Sequence, residues 1–231
     1  MKTDEDYFNF PIQLLDGFMT DHEQVLRNIL HYAVFAGTRK LVLGTELEKF
    51  KSSAGYLGVT FESMKIPLLN GEKLYDSLSP NSPKVGLSKP VLWSYFKEDK
   101  TDFEKACLLA FLAIKSIAGR KEYCRTTNAL ILARMEGRVK SISDISELSD
   151  EIYFFSNRYQ LTKIINELKC NWNLVYYAKG IRGSYVSFKI DFESLIRIAE
   201  NARETTKLKQ AKALENEIIK KVKDSMKKAA P

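Results

Sequence analysis

The sequence predicts a mainly α-helical, α+β protein. It would comprise a helical N-terminal domain, a smaller unit of helices with one β-hairpin, and a long C-terminal helix. Apolar residues recur at three- and four-residue steps over most of the 231 residues, as in helices with one buried face. The period shortens to two only between residues 172 and 190. Residues that break helices concentrate between Leu68 and Pro90, where we expect a loop.

The composition is that of a soluble globular protein, with 45% apolar and 28% charged residues. It excludes collagen-like and disordered classes. The longest clean apolar run, Ala106 to Ile114, is less than half of the roughly 20 residues that a bilayer span needs. Thr3 to Asp6 is polar and acidic where a signal peptide would be apolar. We therefore expect no membrane partner and a cytoplasmic location.

Helix starts in the first half carry a capping box, in which a hydroxyl and a glutamate three residues later satisfy backbone N–H groups. The motif begins at Thr20, Thr45 and Thr101. The helix after Thr101 is apolar nearly all round, which predicts the centre of a core. Gly119 marks the boundary predicted between a helical domain, 1–119, and the unit that follows.

The second half predicts a definite order of elements. A helix from Thr126 to Glu136 would end at Gly137, and Ser143 or Asp144 would begin a short helix. That short helix would direct Ile142, Ile145 and Leu148 inward. The remaining elements would be a linker, Asp150–Ser156; a third helix, Asn157–Lys169; strands Trp172–Ala178 and Ser184–Ile190, joined by the five residues Lys179–Gly183; and a long polar helix after Asp191, within a C-terminal segment of residues 191–231.

This order of helix, short helix, helix and hairpin resembles the winged helix-turn-helix family over residues 121–190, within a predicted domain of 120–190. Asn157 to Leu168 matches that family's recognition helix, and the hairpin tipped by Gly180–Gly183 matches its wing. The aromatic linker Tyr153–Phe155 departs from the pattern, because it lengthens the turn between the second and third helices. The resemblance implies binding to double-stranded DNA.

The third helix supports the same function through its side chains. Its apolar residues form one stripe, and no acidic residue lies in the outward set, with Glu167 at the edge. Arg, Lys, Gln and Asn pair with base edges and phosphates in a major groove. A solvated helix face would show the same pattern, but the adjacent Gly-rich hairpin can approach phosphates closely. The candidate DNA-binding residues are Arg158, Tyr159, Gln160, Thr162, Lys163, Asn166, Lys179 and Arg182.

Charge is unevenly distributed along the chain. The net charge is +7, from 36 Lys/Arg and 29 Asp/Glu. Residues 1–119 hold 14 basic and 15 acidic residues, whereas residues 120–231 hold 22 and 14. This asymmetry favours a polyanionic partner for the second half. Lysines that merely keep a helical tail soluble would explain the last 25 residues equally well.

Catalytic and metal-binding motifs are absent from the sequence. It contains no phosphate-binding loop, no nucleophile elbow and no H-E-x-x-H zinc motif. Its three cysteines are isolated, and its two histidines, His22 and His31, lie far from them. Carboxylates at Glu98–Glu104 fit the start of a capped helix. We therefore expect no enzyme activity, no metal and no cofactor.

The sequence thus predicts sequence-specific DNA binding by a transcription regulator or a replication-initiator-like protein. The alternative is a protein–protein adaptor whose winged helix and C-terminal helix mediate assembly without DNA. A gapped apolar stripe from Leu195 to Val222 predicts that the last helix packs on a second subunit or on the N-terminal domain. A homo-oligomer is therefore expected as well.

Overall fold

The computed structural model describes residues 7–79, 81–180 and 183–229, with the backbone alone for residues 179, 180 and 222–229. It is 64% helical, which confirms the mainly α, α+β fold class. The helices in these ranges are α1 (His22–Lys40), α2 (Glu46–Leu57), α3 (Lys65–Ser77), α4 (Lys89–Lys97), α5 (Asp102–Ala118), α6 (Asn128–Met135), α7 (Asp150–Phe155), α8 (Arg158–Asn171) and α9 (Phe192–Ala229). The strands are β1 (Tyr7–Pro11), β2 (Lys84–Ser88), β3 (Tyr123–Thr126), β4 (Val175–Gly180) and β5 (Gly183–Ser187).

Two of the three capping boxes are present, at Thr45 and Thr101. The box predicted at Thr20 is wrong. Asp21 instead caps α1, and its carboxylate accepts the N–H of Gln24 at 3.0 Å. The Thr20 hydroxyl donates to Glu151 of α7 at 3.3 Å, so a distant contact replaces the local one.

The loop predicted from Leu68 to Pro90 is also wrong in its first part, because α3 runs through it to Ser77. Pro67 falls in the first turn of α3, where a missing N–H is tolerated. Gly71 lies where α3 crosses α1, and its lack of a side chain allows the two backbones to approach. β2 then pairs antiparallel with β1, with Phe10 opposite Val85.

The short elements of the second half differ from the prediction in four ways. Thr126, predicted to begin a helix, ends the strand β3, which was not predicted, and α6 begins at Asn128. The predicted linker Asp150–Ser156 is wrong, because residues 150–155 form α7, capped by Ser149. Asp144 does begin the preceding turn, a 3-10 helix, but Ile145 points to solvent with 46% of its surface exposed. The hairpin strands are offset from the predicted ones, and only residues 181 and 182 separate β4 from β5.

One apolar core runs through residues 8–186. Its centre is α5, where residues 106–110 and 112–114 are all buried. α5 contacts β2 of the first half and α6, α8 and β3 of the second. The core is therefore continuous across Gly119, and the domain boundaries proposed from the sequence remain predictions.

The second sheet has the order β3-β5-β4 and is antiparallel throughout. One face, with Cys124 and Val186, joins the main core, and the other packs on the first turns of α9 through Tyr185, Leu195 and Ala199. Beyond Thr206 the side chains of α9 are exposed as far as residue 221. None of the helices in the described ranges is both long and apolar enough to cross a bilayer.

Candidate nucleic-acid interface

The start of α8 is fixed by Asn157, which caps it. The side-chain carbonyl of Asn157 accepts the N–H of Gln160 at 2.9 Å, as expected of an N-cap. Its amide group donates to the backbone oxygen of Phe154 at 2.9 Å. One side chain therefore holds the end of α7 and the beginning of α8 in a fixed relation.

The inner face of α8 anchors the helix, because Leu161, Ile164, Ile165 and Leu168 are buried. α8 packs against α5 through this face. The sequence-derived division into an apolar stripe and an outward set therefore matches the structure. The candidate residues with exposed side chains on α8 are Arg158, Tyr159, Thr162, Lys163 and Asn166.

The outward side chains fall into two groups. Within the described residues, the side chains of Arg158 and Asn166 make no hydrogen bond or ion pair. Thr162, by contrast, donates its hydroxyl to the backbone oxygen of Arg158 at 2.7 Å. The ammonium of Lys163 lies 5.2 Å from the ring centre of Phe103 on α5 and 5.8 Å from that of Tyr159. Arg158 and Asn166 are thus the polar groups best placed to meet an external partner.

Gln160 and Glu167 lie together on one flank of α8. Residues seven apart return to nearly the same side of a helix, and both are half-buried. Glu167 accepts a hydrogen bond from the amide of Asn171 at 2.7 Å. The flank is therefore distinct from the centre of the outward face, where Tyr159, Lys163 and Asn166 lie. Among the candidates on α8, Gln160 is the least available to a partner.

The hairpin beside α8 is held against the end of β3. Gly183 has a φ of +109°, and a Cβ there would collide with the backbone oxygen of Thr126, so glycine is required. On the face toward α9, the hydroxyl of Tyr177 donates to the carboxylate of Glu200. Among the predicted wing residues, Arg182 and the side chain of Lys179 lie outside the described residues.

Sequence reasoning missed two aromatic side chains next to this surface. Tyr153 and Phe154 belong to the predicted linker, but in the structure they lie on the last turn of α7 and are exposed. The signal for this helix is Ser149 followed by Asp150 and Glu151, a cap with acidic residues in the first turn. Phe155, which follows them, is buried in the core.

Ion pairs and a hydrogen bond link the two ends of the loop between α6 and α7. The guanidinium of Arg138 contacts Glu136 at 2.8 Å and Glu147 at 3.5 Å, and Glu136 also accepts the N–H of Ser149. These residues border a cleft of about 730 Å³ between α6, α7 and the segment around Asp16. Its lining holds four carboxylates, those of Asp16, Glu136, Glu147 and Glu151, against the one guanidinium of Arg138, so the cleft is acidic and does not suit a polyanion.

Four side chains of chemically reactive type, Cys107, Cys124, His31 and Glu104, are buried or engaged within the fold. Burial raises the pKa of Cys107 to about 12 and that of Cys124 to about 11, so both remain protonated thiols near neutral pH. Burial lowers the pKa of His31, whose ring packs near Phe61. Glu104 completes the cap of α5. Within the described residues no three His, Cys, Asp or Glu side chains are grouped to hold a metal.

Comparison with protein-family models, curated proteins and solved structures gives no match for this chain.

Proposed function

We propose that the chain binds double-stranded DNA by placing α8 in a major groove and the β4–β5 hairpin along the adjacent phosphates. The observation that carries this proposal is the outward face of α8, where Arg158 and Asn166 are exposed and lack side-chain partners among the described residues. Arginine pairs with guanine and asparagine with adenine through two hydrogen bonds each. Such pairs allow a protein to discriminate between base pairs.

The position of these residues on the helix also favours this function. Arg158 is the first residue of α8, and the N-terminal turns of a recognition helix are the ones that contact bases. α8 is held by α5 on its inner face and by Asn157 at its start, so its outward groups rest on a rigid support.

The charge distribution fits a nucleic acid as partner. The excess of basic over acidic residues lies after residue 119, in the part of the chain that contains α8 and the hairpin. Contacts between such residues and phosphates release counterions, and this release supplies much of the affinity for DNA. We propose a cytoplasmic transcription regulator or replication-initiator-like protein that acts as a homo-oligomer.

The alternative function, a protein–protein adaptor, has its own supporting observation. Leu208, Leu214 and Ile218 on the distal part of α9 are each more than half exposed, and Val42 and Leu43 before α2 are 88% exposed. Apolar groups at such exposure are suited to protein contacts. An adaptor would assemble through these residues and leave DNA unbound.

A gel-shift assay of the full chain with a mixed-sequence duplex library at moderate salt tests the proposal. We expect a retarded complex, and we expect the double variant Arg158→Ala/Asn166→Ala to lose discrimination worth roughly 1–3 kcal/mol for each base contact. Both residues are exposed, so the variant should fold normally. Lys51→Ala, on an exposed position of α2, is the matched control. A double variant that folds and selects the same duplexes as strongly as the parent would refute the proposal.

A further inference from the structure

The two most exposed large apolar side chains of the described residues lie in the turn between α1 and α2. They are Val42 and Leu43, each with 88% of its surface exposed, and we call them the apolar tip. Leu47, on the first turn of α2, adds a third apolar side chain that is about half exposed. Adjacent apolar side chains at such exposure mark an interaction site. The apolar tip therefore indicates a contact with another molecule.

The turn that carries the apolar tip has a fixed conformation. Gly44 has a φ of +98°, in the left-handed region that favours glycine. Thr45 and Glu48 follow it and form the capping box of α2. The carboxylate of Glu48 accepts the N–H of Thr45 at 2.8 Å and its hydroxyl at 3.0 Å. A surface that is already ordered loses little conformational entropy when a partner binds to it.

Opposite charges flank the apolar tip. Arg39 and Lys40 lie on the last turn of α1, and Glu46 and Glu48 lie on the first turn of α2. The side chains of Lys40 and Glu46 are exposed and make no ion pair or hydrogen bond within the described residues. The guanidinium of Arg39 instead lies 5.2 Å from the ring centre of Tyr75 on α3. Lys40 and Glu46 are therefore the charges best placed to meet a partner.

The mixture of charges around the apolar tip indicates what kind of partner fits. A nucleic acid or an anionic membrane would be repelled by the carboxylates of Glu46 and Glu48, and Asp76 on α3, next to Tyr75, is exposed as well. The partner should therefore offer both signs of charge around an apolar centre, as a protein surface can. A second copy of the same turn offers them in the required order, because a twofold contact brings one patch against itself.

We infer that two copies of the chain pair about a twofold axis through the turn between α1 and α2. The two apolar tips pack together, and Lys40 of each copy faces Glu46 of the other. This inference rests on the homo-oligomer of the proposed function, for which it names a surface, and it does not depend on DNA binding. The contact is separate from any that the distal part of α9 makes. Few side chains form it, so we expect a dissociation constant of roughly micromolar order.

Sedimentation velocity of the full chain over a concentration series, without DNA, tests the inference. Lys40→Glu and Glu46→Lys should each raise the dissociation constant at least about tenfold, because like charges then meet at both sites of the twofold contact. An equimolar mixture of the two variants should regain the parent's assembly, since position 40 of one copy and position 46 of the other again carry opposite charges at both sites. All samples keep α9, so a contact through its distal part is common to them.

Two further variants separate the contact from general effects of charge. Lys97→Glu makes the same change in the last turn of α4 and should leave the dissociation constant unchanged. Val42→Ser/Leu43→Ser keeps both charges and removes the apolar tip, and it should raise the dissociation constant at least about tenfold. Because both of its side chains are exposed, this variant should fold normally by circular dichroism. It therefore tests the inference even if a charge variant does not fold.

Four results would overturn the inference. The single charge variants could assemble like the parent, or their mixture could stay dissociated, and either would exclude the pairing of Lys40 with Glu46. A serine variant that assembles like the parent would place the apolar tip outside the contact and leave it to a different protein. A parent chain that stays monomeric at every concentration would refute both the inference and the homo-oligomer of the proposed function. The gel-shift assay decides DNA binding separately.

Discussion

Arg134 and Arg138 show how the surroundings of a single residue decide its effect on stability. Arg134 is buried, and its Nε and Nη1 atoms have no partner among the described residues. Burial lowers the pKa of this guanidinium. Arg138 lies four residues later and pairs with Glu136, whose side chain is only 8% exposed. Removing the guanidinium of Arg134 relieves the free-energy cost of burying an unpaired charge. Removing that of Arg138 creates such a cost, because it leaves the carboxylate of Glu136 buried without a cation.

We therefore expect Arg134→Met to raise the free energy of unfolding by about 1–3 kcal/mol, because an unsatisfied buried polar group disappears. Arg138→Met should lower it by about 1–3 kcal/mol, because the carboxylate of Glu136 loses its cation. Urea denaturation followed by circular dichroism measures both. A loss of stability in Arg134→Met would show that this guanidinium is satisfied in solution.

Gly71 is a second residue whose role depends on packing. A Cβ at this position would lie 2.5 Å from the Cβ of Phe35 and closer still to the backbone oxygen of His31. Gly71→Ala should force α1 and α3 apart and lower the free energy of unfolding by about 1–3 kcal/mol. Gly55→Ala on α2, where a Cβ meets nothing within 4 Å, should instead raise it by up to about 1 kcal/mol through helix propensity. Thermal unfolding of both variants measures the contrast, and equal effects would contradict the close approach of α1 and α3.

At the scale of elements, α9 combines a packed beginning with an exposed continuation. It has 38 residues and is about 57 Å long at the rise of an α-helix. Leu195 and Ala199 pack on the β3-β5-β4 sheet, but the side chains of residues 207–221 are exposed. Because most helical stability in proteins comes from packing and this part packs on nothing in the core, we expect it to have an intermolecular partner.

Truncation after Thr206 should therefore lower the oligomeric state measured by sedimentation velocity. The unfolding temperature of the remaining chain should stay the same at low protein concentration, because the deleted side chains contact little of the core. If the truncated chain sediments in the same oligomeric state as the full chain, the distal part of α9 is a solvated extension.

The sequence predicted helix ends correctly where they depend only on neighbouring residues. The caps at Thr45 and Thr101, the stop at Gly137 and the start of α9 after Asp191 all depend on neighbouring residues alone. α3 was missed because Gly71 reads as a helix breaker, although its place against α1 makes it favourable. α7 was missed because six residues are too short for a periodic pattern to emerge.

The candidate surface was predictable only in part. The outward side of α8 could be predicted, because the apolar residues of this helix recur at helical spacing. The structure buries these residues, Leu161, Ile164, Ile165 and Leu168. Sequence could not indicate that Lys163 lies over Phe103, because these residues are far apart in the chain and meet through the packing of α8 on α5.

At the scale of the whole molecule, α5 links the two halves of the chain. It packs on β2 before it in sequence and on α6, α8 and β3 after it. A ligand or second subunit that shifts the N-terminal helices would therefore act on α8 through one shared core. This connection offers a physical route by which residues 1–119 can influence α8, the helix proposed to bind DNA.

Tethered cleavage from Cys170 tests most directly whether α8 faces DNA. Cys170 is exposed on α8, four residues after Asn166, whereas Cys107 and Cys124 are buried, so an iron chelate that generates hydroxyl radicals can be attached to it selectively. We expect the labelled chain to cleave a bound duplex at a defined position within its site. The control Ser52→Cys/Cys170→Ser, labelled at an exposed position of α2, should bind the duplex without localised cleavage. A chain labelled at Cys170 that binds the duplex but leaves it uncut, or cuts it no more selectively than the control, would contradict the placement of α8 in the groove.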